Sequence, residues 1–495
     1  MTAARIVLAV GCGLALAARA AAADPAPDPA PARAAAREPG PALDPALGPA
    51  LDSAPARAAD AALADRIRDL ERVVEVLERK ATAQRLSWSA DYRLTVGRYT
   101  YQGPDPAERG ARIERRTDEL WTHRVRLALR AEPTPALRLR ARLVAFKRFN
   151  DSAEPIASDG GQSRLPRDAT ARFDRFWLDW FFAPGLSASL GRTSTTDGSP
   201  AELRENLDKP AATLSLGLVD AETDVAALTW ELPPVVLRAF YLSWQFARPD
   251  DPYAQLPFLP RGAPMRVFGA SAQLRPRGGG LLAELSGLWI PSGRGVPPLG
   301  VPGPDGRLTQ PVELPSLGQV ATATGLVMWR DVVPGVLDAF AMASVSYARP
   351  NGRVLSYPIG PDGAAVPVFT LTSADATTHT GALAYAGLRV TAPVGGAHAP
   401  KLGFEATYAS RYLIAFVTPS TDLISRLGVR GRTYDAYAIV PLSSALFVRA
   451  SWTRLEQAYA APLGGVIEPV PALGGTAAPI AARTDAIQLT LHAAL

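Results

Sequence analysis

Residues 120–149 read LWTHRVRLALRAEPTPALRLRARLVAFKRF. Val125, Leu127 and Leu129 alternate with Arg124, Arg126 and Arg130; beyond Pro133-Thr134-Pro135, Leu137, Leu139, Ala141 and Leu143 oppose Arg138, Arg140 and Arg142. A period of two sends successive side chains to opposite faces of a β-strand. The break between the runs is short enough only for a tight turn, so the two strands pair antiparallel, one face aliphatic and the other basic. Alternating segments of about ten residues separated by turn residues are the signature of a transmembrane β-barrel.

The pattern recurs along the chain. On one side of it Trp88, Ala90, Tyr92, Leu94 and Val96 share a face opposite Asp91 and Arg93. On the other, Leu402, Phe404, Ala406 and Tyr408 oppose Lys401, Glu405, Thr407 and Arg411, and Ile487, Leu489, Leu491, Ala493 and Leu495 close the chain. About sixteen such segments follow one another, from 87–100 to 484–495, the thirteenth spanning 400–415. Their connections alternate between tight turns, such as Ala183-Pro-Gly185 and Pro441-Leu-Ser-Ser444, and long Pro/Gly/Asp-rich stretches, such as 291–318 and 457–483. Short periplasmic turns and long external loops are what an outer-membrane barrel requires. The fold expected is all-β, a transmembrane antiparallel up-and-down barrel over 86–495. Trp121, Trp289, Tyr347, Tyr412 and Trp452 fall toward external strand ends, and Trp180, Phe182, Trp230 and Trp329 toward periplasmic ends, as two aromatic girdles would.

Composition agrees and excludes other classes. The 495 residues are 47% hydrophobic with a net charge of +5 and one cysteine, and the mean hydropathy is +0.03. Beyond the N-terminal segment no apolar run approaches the roughly twenty residues of a membrane helix. One cysteine cannot form a disulfide framework. No basic cluster is interleaved with aromatics in a compact module, so no nucleic-acid partner is expected.

Upstream of the barrel three segments differ in kind. Arg5, the apolar run Ile6 to Ala18 and Ala-rich residues up to Asp24 read as a signal peptide over 1–23. Cys12 follows Ala9-Val10-Gly11, a poor match to a lipid-modified cysteine. Residues 24–57 are a Pro/Ala-rich linker, because proline removes donors and fixes φ. Over 58–85, Leu63, Ile67, Leu70, Val74 and Leu77 form an a/d heptad seam flanked by charges, the pattern of a short coiled-coil helix that self-associates.

The heptad helix, the strand SWSADYR, the arginine hairpin and RFDRFWLDWFFAPGLSASLGRTSTTDGSPAELRENLDKPAATL resemble an uncharacterised proteobacterial family of porin-like outer-membrane proteins with a coiled coil ahead of the barrel. Gly191-Arg192 followed by Gly198 to Asn206 is the most specific part. The family usually carries a proline soon after Gly-Arg, where this chain has Thr193-Ser194-Thr195. The resemblance implies architecture and an outer-membrane location, and brings no substrate with it.

Catalysis finds little support. His123, His379, His398 and His492 lack metal-ligand spacing, and the Gly-rich pieces have neither the lysine nor the strand-to-helix context of a phosphate loop. No enzyme activity, metal or cofactor is expected. The lumen carries the functional signal. Arg93, Arg124, Arg126, Arg138, Arg140 and Arg142 have the parity opposite the aliphatic face, and a charge facing lipid at the midplane costs about 2–4 kcal/mol, so they point inward. Asp179, Glu405 and Arg411 join them as pore-lining candidates. Two wall chemistries stay open: an arginine-rich wall preferring anions, or one neutralised by Asp91, Asp179, Glu284, Asp338, Glu405 or Asp435. The segment 193–224, with Glu202, Arg204, Glu205, Asp208 and Lys209, is a candidate constriction loop; folding into the lumen and capping the barrel are both open.

The expected function is therefore a porin-like channel for passive diffusion of small solutes or ions, with an anion preference; the alternative is a structural or tethering barrel with a closed or plugged lumen. Its partners would be outer-membrane lipid, the solutes and further copies of itself. A trimer is favoured on the habit of porins, although Leu at d with Ile or Val at a favours two strands in an isolated coil. Deleting residues 58–84 should lower the oligomer mass measured by light scattering in detergent; an unchanged mass would remove the heptads from the assembly.

Overall fold

A computed structural model describes residues 66, 72, 85–104, 111–149, 169–195, 198–207, 217–220, 222–244, 265–276, 280–294, 301–302, 308–309, 315–372, 376–394, 398–417, 423–424, 426–460, 468–469 and 479–494. The signal peptide, the linker, the heptad positions Leu63, Ile67, Leu70, Val74 and Leu77, and Asp208 and Lys209 lie outside the described residues.

Sixteen antiparallel strands form one closed barrel in sequence order. They are β1 (Leu86–Pro104), β2 (Arg112–Thr134), β3 (Leu137–Phe149), β4 (Ala169–Ala183), β5 (Leu186–Ser194), β6 (Glu222–Leu232), β7 (Val235–Trp244) and β8 (Met265–Leu274). The second half comprises β9 (Leu281–Arg294), β10 (Ser316–Val333), β11 (Leu337–Pro350), β12 (His379–Thr391), β13 (Lys401–Ala409), β14 (Arg430–Pro441), β15 (Leu446–Tyr459) and β16 (Pro479–Ala494). The seam closes between β1 and β16, with Asp91 opposite Ala494 and Gln102 opposite Arg483. Closure leaves no edge strand with unpaired backbone groups, the condition for a sheet to sit in hydrocarbon.

The arginine hairpin forms as its alternation requires. Arg130 stands opposite Arg140 and Leu127 opposite Leu143 across β2 and β3. Outside, Leu127, Leu129, Leu178, Leu190, Leu228, Val327, Val345, Leu388 and Leu489 are exposed; inside, Arg124, Arg126 and Arg142 are buried. An apolar face that runs round the whole circumference is wrong for water and right for a bilayer. Trp180, Phe182, Trp230 and Trp329 ring the outer surface at the tight-turn end, and Trp121, Trp289 and Tyr347 toward the other, all exposed. Tyr412 leaves this belt, since it lies beyond β13 and stacks on His379 at 3.8 Å between ring centroids.

Two local devices shape the sheet. Gly185, at φ +71, makes the β4–β5 turn, and a Cβ there would come within 2.5 Å of the Glu231 carbonyl oxygen. On the inner face, rings lie over strand glycines. A Cβ on Gly269 would meet the Phe240 ring at 2.2 Å, one on Gly387 the Phe340 ring at 2.5 Å, and one on Gly403 the Tyr437 ring at 2.1 Å. The aromatic covers backbone that glycine leaves bare, which pins the register of each strand pair.

Some sequence expectations need correction. The strand expected at 400–415 stops at Ala409, because the chain turns inward at Ser410, whose N–H bonds the Ala382 carbonyl at 2.9 Å. Arg411 is therefore not on a strand face; it is exposed and stacks on Tyr412 and Tyr459. Strict alternation also fails in β4. A register shift sets Arg142 opposite Arg175 but Leu143 opposite Phe173, so Asp174 and Arg175 both turn inward.

On β11, Ala343 is exposed midway between Ala339, which faces Trp329, and Tyr347. Ala343→Arg should lower barrel stability by about 2–4 kcal/mol in denaturant titrations from lipid vesicles, while Ala343→Leu should leave it near the wild type.

Candidate functional site

Two segments between strands enter the lumen. Between β5 and β6 the described residues 198–207 lie inside the barrel, and the helical turn Ala201–Arg204 and the residues after it bond to its tight-turn end. Arg389 Nη1 donates to the Leu203 carbonyl at 2.9 Å, Arg330 Nη2 to the Leu207 carbonyl at 2.9 Å, and Lys401 Nζ to Asn206 Oδ1 at 2.7 Å. Arg330, Arg389 and Lys401 sit beside the tight turns, so residues 203–207 stand deep in the barrel, and Gly217 lies against Thr324 and Met342. β13 lies eight strands from β5 in the sixteen-strand ring, which makes this a strap across the full width.

An apolar anchor and several charged ones hold it. Leu203 is 0% exposed, packed in a cluster with Leu326, Met328, Phe340, Met342 and Leu383. Arg204 Nη1 donates to Glu405 Oε2 at 2.6 Å and to the Tyr385 hydroxyl at 3.2 Å; Tyr385 in turn donates to the same carboxylate oxygen. Glu205 accepts from Arg449 at 2.9 Å through one oxygen and from Arg93 at 3.4 Å through the other. Arg449 also donates to the Arg204 carbonyl at 3.2 Å.

Glu202 and Glu205 shift in opposite directions. Burial pushes the Glu202 carboxyl above its ordinary value, and the Ser199 hydroxyl that donates to it at 2.7 Å offsets only part of that. Burial acts on Glu205 as well, but Arg449, Arg93, Arg204 and Arg124 outweigh it and hold that carboxyl well below the usual range. Of the two carboxyls, Glu205 is the one held in its ionised form by neighbouring arginines.

A second inward segment follows β13. Leu413, Ile414, Ala415 and Phe416 are buried; Ile414 N–H donates to Ser346 Oγ at 2.9 Å, and Arg430 to the Leu413 carbonyl at 3.0 Å. It meets the strap in a short parallel ladder, Phe416 opposite Val219 and Val417 opposite Asp220. Val219, Leu371, Ile414 and Phe416 then pack against Phe240, Leu242, Val267, Ile290 and Val320, an apolar core inside the barrel. On the remaining loops, Leu355–Pro358, Ala365–Thr370 and Glu468–Pro469 form a separate three-stranded sheet.

The arginine wall points inward and is paired. Arg124 meets Asp91 at 3.1 Å, Arg138 Glu132 at 2.5 Å and Arg140 Asp179 at 3.5 Å; Arg142 bonds Asp174, and Arg93 the strap's Glu205. Arg140 and Arg138 also lie over the Trp177 and Phe181 rings at 5.4 and 4.8 Å from the centroids. Glu202, Arg204, Glu205 and Glu405 come together at the strap. Sequence reasoning missed Tyr385, Arg389 and Arg449, although the alternations Tyr385/Gly387/Arg389 and Arg449/Ser451/Thr453 carry the same inward parity. It also missed the 410–417 segment, because Leu413 to Val417 reads as more strand.

A closed sixteen-strand antiparallel sheet, apolar outside, charged inside and crossed by a loop, is a porin-like β-barrel. The family model described as "Protein of unknown function (DUF3373)" matches residues 114–239 and 306–480, and the chain belongs to that family. No curated protein matches the sequence. Among solved structures, OprB of Pseudomonas putida at high pH is 10% identical with a TM-score of 0.44, covering 84% of this chain and 96% of that one. An anion-selective porin from Comamonas acidovorans is 10% identical (TM-score 0.43, 83% and 100% covered), and the outer membrane channel DcaP of Acinetobacter baumannii 10% identical (0.43, 83% and 97%).

Leu203→Ala should loosen the strap without touching the sheet. The lost packing is worth about 2–4 kcal/mol, so hydrogen exchange at the Glu205 and Leu207 amides, bonded to Ala201 and Glu202 carbonyls, should quicken roughly 30- to 800-fold.

Proposed function

We propose that the protein is an outer-membrane channel through which small solutes or ions diffuse, in a lumen narrowed by the strap residues 198–207 and 217–220 and with a modest preference for anions. The observation that carries this reading is the closed sheet whose outer face is apolar and whose inner face is charged. A charged inner wall is what a water-filled lumen needs to pass polar and charged solutes. Among the described residues ten arginines are buried against eight aspartates and glutamates, an excess small enough to bias passage without excluding cations.

The packing of Leu203, Ile414 and Phe416 inside the barrel favours a second reading, a plugged barrel that serves as an anchor. Leu86 and Ala494 both lie at the tight-turn end, next to Ala131 and Ala445. In an outer membrane that end faces the periplasm, where the heptad segment would join copies of the chain, as a trimer on porin precedent. Export through the N-terminal signal completes this reading.

Conductance in planar bilayers separates the two readings. The wild type should conduct, with a reversal potential under a KCl gradient on the anion side. The shift should fade as salt rises past about 0.1 M, where the Debye length is about 10 Å. Arg126→Ser combined with Arg140→Ser should move the potential toward cations. A barrel that inserts and never conducts would leave the anchor reading standing. Conductance with an unmoved potential would make these arginines structural.

A further inference from the structure

We propose that Glu205 occupies a carboxylate-binding site built into the barrel wall, and that the solute admitted there is a small carboxylate, which exchanges with this side chain. The inference rests on the channel reading and names its solute class.

Two guanidiniums hold Glu205 from two different strands. Arg449 on β15 takes one oxygen at 2.9 Å and Arg93 on β1 takes the other at 3.4 Å. β16 separates these strands, so their backbones stand about 10 Å apart, and the arginines lean in from both sides. One donor per oxygen is a clamp suited to a planar carboxylate. Arg124, itself paired with Asp91 at 3.1 Å, adds to the positive field at the same point.

All three members of the clamp are buried. A guanidinium out of water that loses its anion is strongly disfavoured, so the strap leaves readily only where another carboxylate takes its place. Glu205 is also the site's competitor. Tethered in the same chain, it acts at an effective concentration of the order of millimolar, and a free carboxylate must work against that. Neighbouring contacts fit an exchange at this point. Arg449 holds the Arg204 carbonyl too, so losing Glu205 weakens a second bond of the strap, while Arg204 keeps its own partner, Glu405.

The test is calorimetric titration of the full-length protein in detergent with succinate, and with glucose as the uncharged control. Glu205→Ala should bind succinate saturably and at least tenfold more tightly than the wild type, and neither should bind glucose. Adding Arg449→Ser to Glu205→Ala should abolish the gain. If Glu205→Ala loses the heat-modifiable mobility of a folded barrel, Glu205→Gln, which keeps the volume, replaces it in the same measurement. Absence of saturable succinate binding to a folded Glu205 variant overturns the site, as does binding that Arg449→Ser leaves unchanged. Binding needs no open pore, so succinate binding without conductance would count against the channel reading alone, and conductance without succinate binding against the site alone.

Discussion

Everything in this molecule follows from the requirement that a sheet in hydrocarbon leave no backbone donor or acceptor unpaired. β1 meets this by pairing with both β2 and β16, and once the ring is closed each strand has only two faces to offer. One must be apolar, and whatever is polar goes inside. Alternation is thus imposed by the solvent, and the arginines of β1 to β3 have nowhere else to point.

That solution creates a second problem, which the interior answers piece by piece. Guanidiniums crowded on adjacent strands repel one another unless anions stand between them. Arg130 and Arg140 are direct cross-strand partners, and Glu132 and Asp179 serve them. The bulge in β4 delivers Asp174 to Arg142, a pairing that regular alternation would have denied. On the arc from β13 round to β1 the supply is shared with the strap. Arg204 answers Glu405, and Glu205 answers Arg93 and Arg449. The strap's charges are therefore complementary to the wall it crosses to, opposite sign by opposite sign.

This explains which parts of the fold were legible in the sequence. Strand alternation is local and solvent-imposed, and so is the choice between a tight turn and a long loop; the sixteen strands and the inward arginines could be read from residues alone. Their pairing could be read in part, since Asp91 and Asp179 stood among the possible partners, but Asp174 depends on a bulge and Glu205 on a loop that meets the far wall. Glu202, Arg204 and Glu205 stood out as a charged stretch with two possible places to fold. Only contact with Leu326, Met328 and Phe340 shows why Leu203 draws that stretch inward. The 410–417 segment misled for the opposite reason. Leu413 to Val417 has the composition of a strand, and Leu413 to Phe416 are buried as a strand would be, but against the inside of the barrel.

The two ways in which the inner segments are held differ in what can replace them. Near the long-loop rim, Val219, Ile414 and Phe416 meet Leu242, Val267 and Ile290 in an apolar core, and a polar solute offers nothing that could substitute for that packing. Deeper, the strap is held by Leu203 in a second apolar cluster, by Arg204 on Glu405, by Glu205 at two arginines and by the carbonyls of Leu203, Arg204 and Leu207 at three. An anionic solute presents the same oxygens to the same donors. The proposed exchange is therefore confined to the Glu205 clamp, while Leu203 in its cluster and Val219 in the rim core keep hold of the strap. A strap held by apolar packing at both levels can give up the one bond of Glu205 to a solute of matching charge without leaving the barrel.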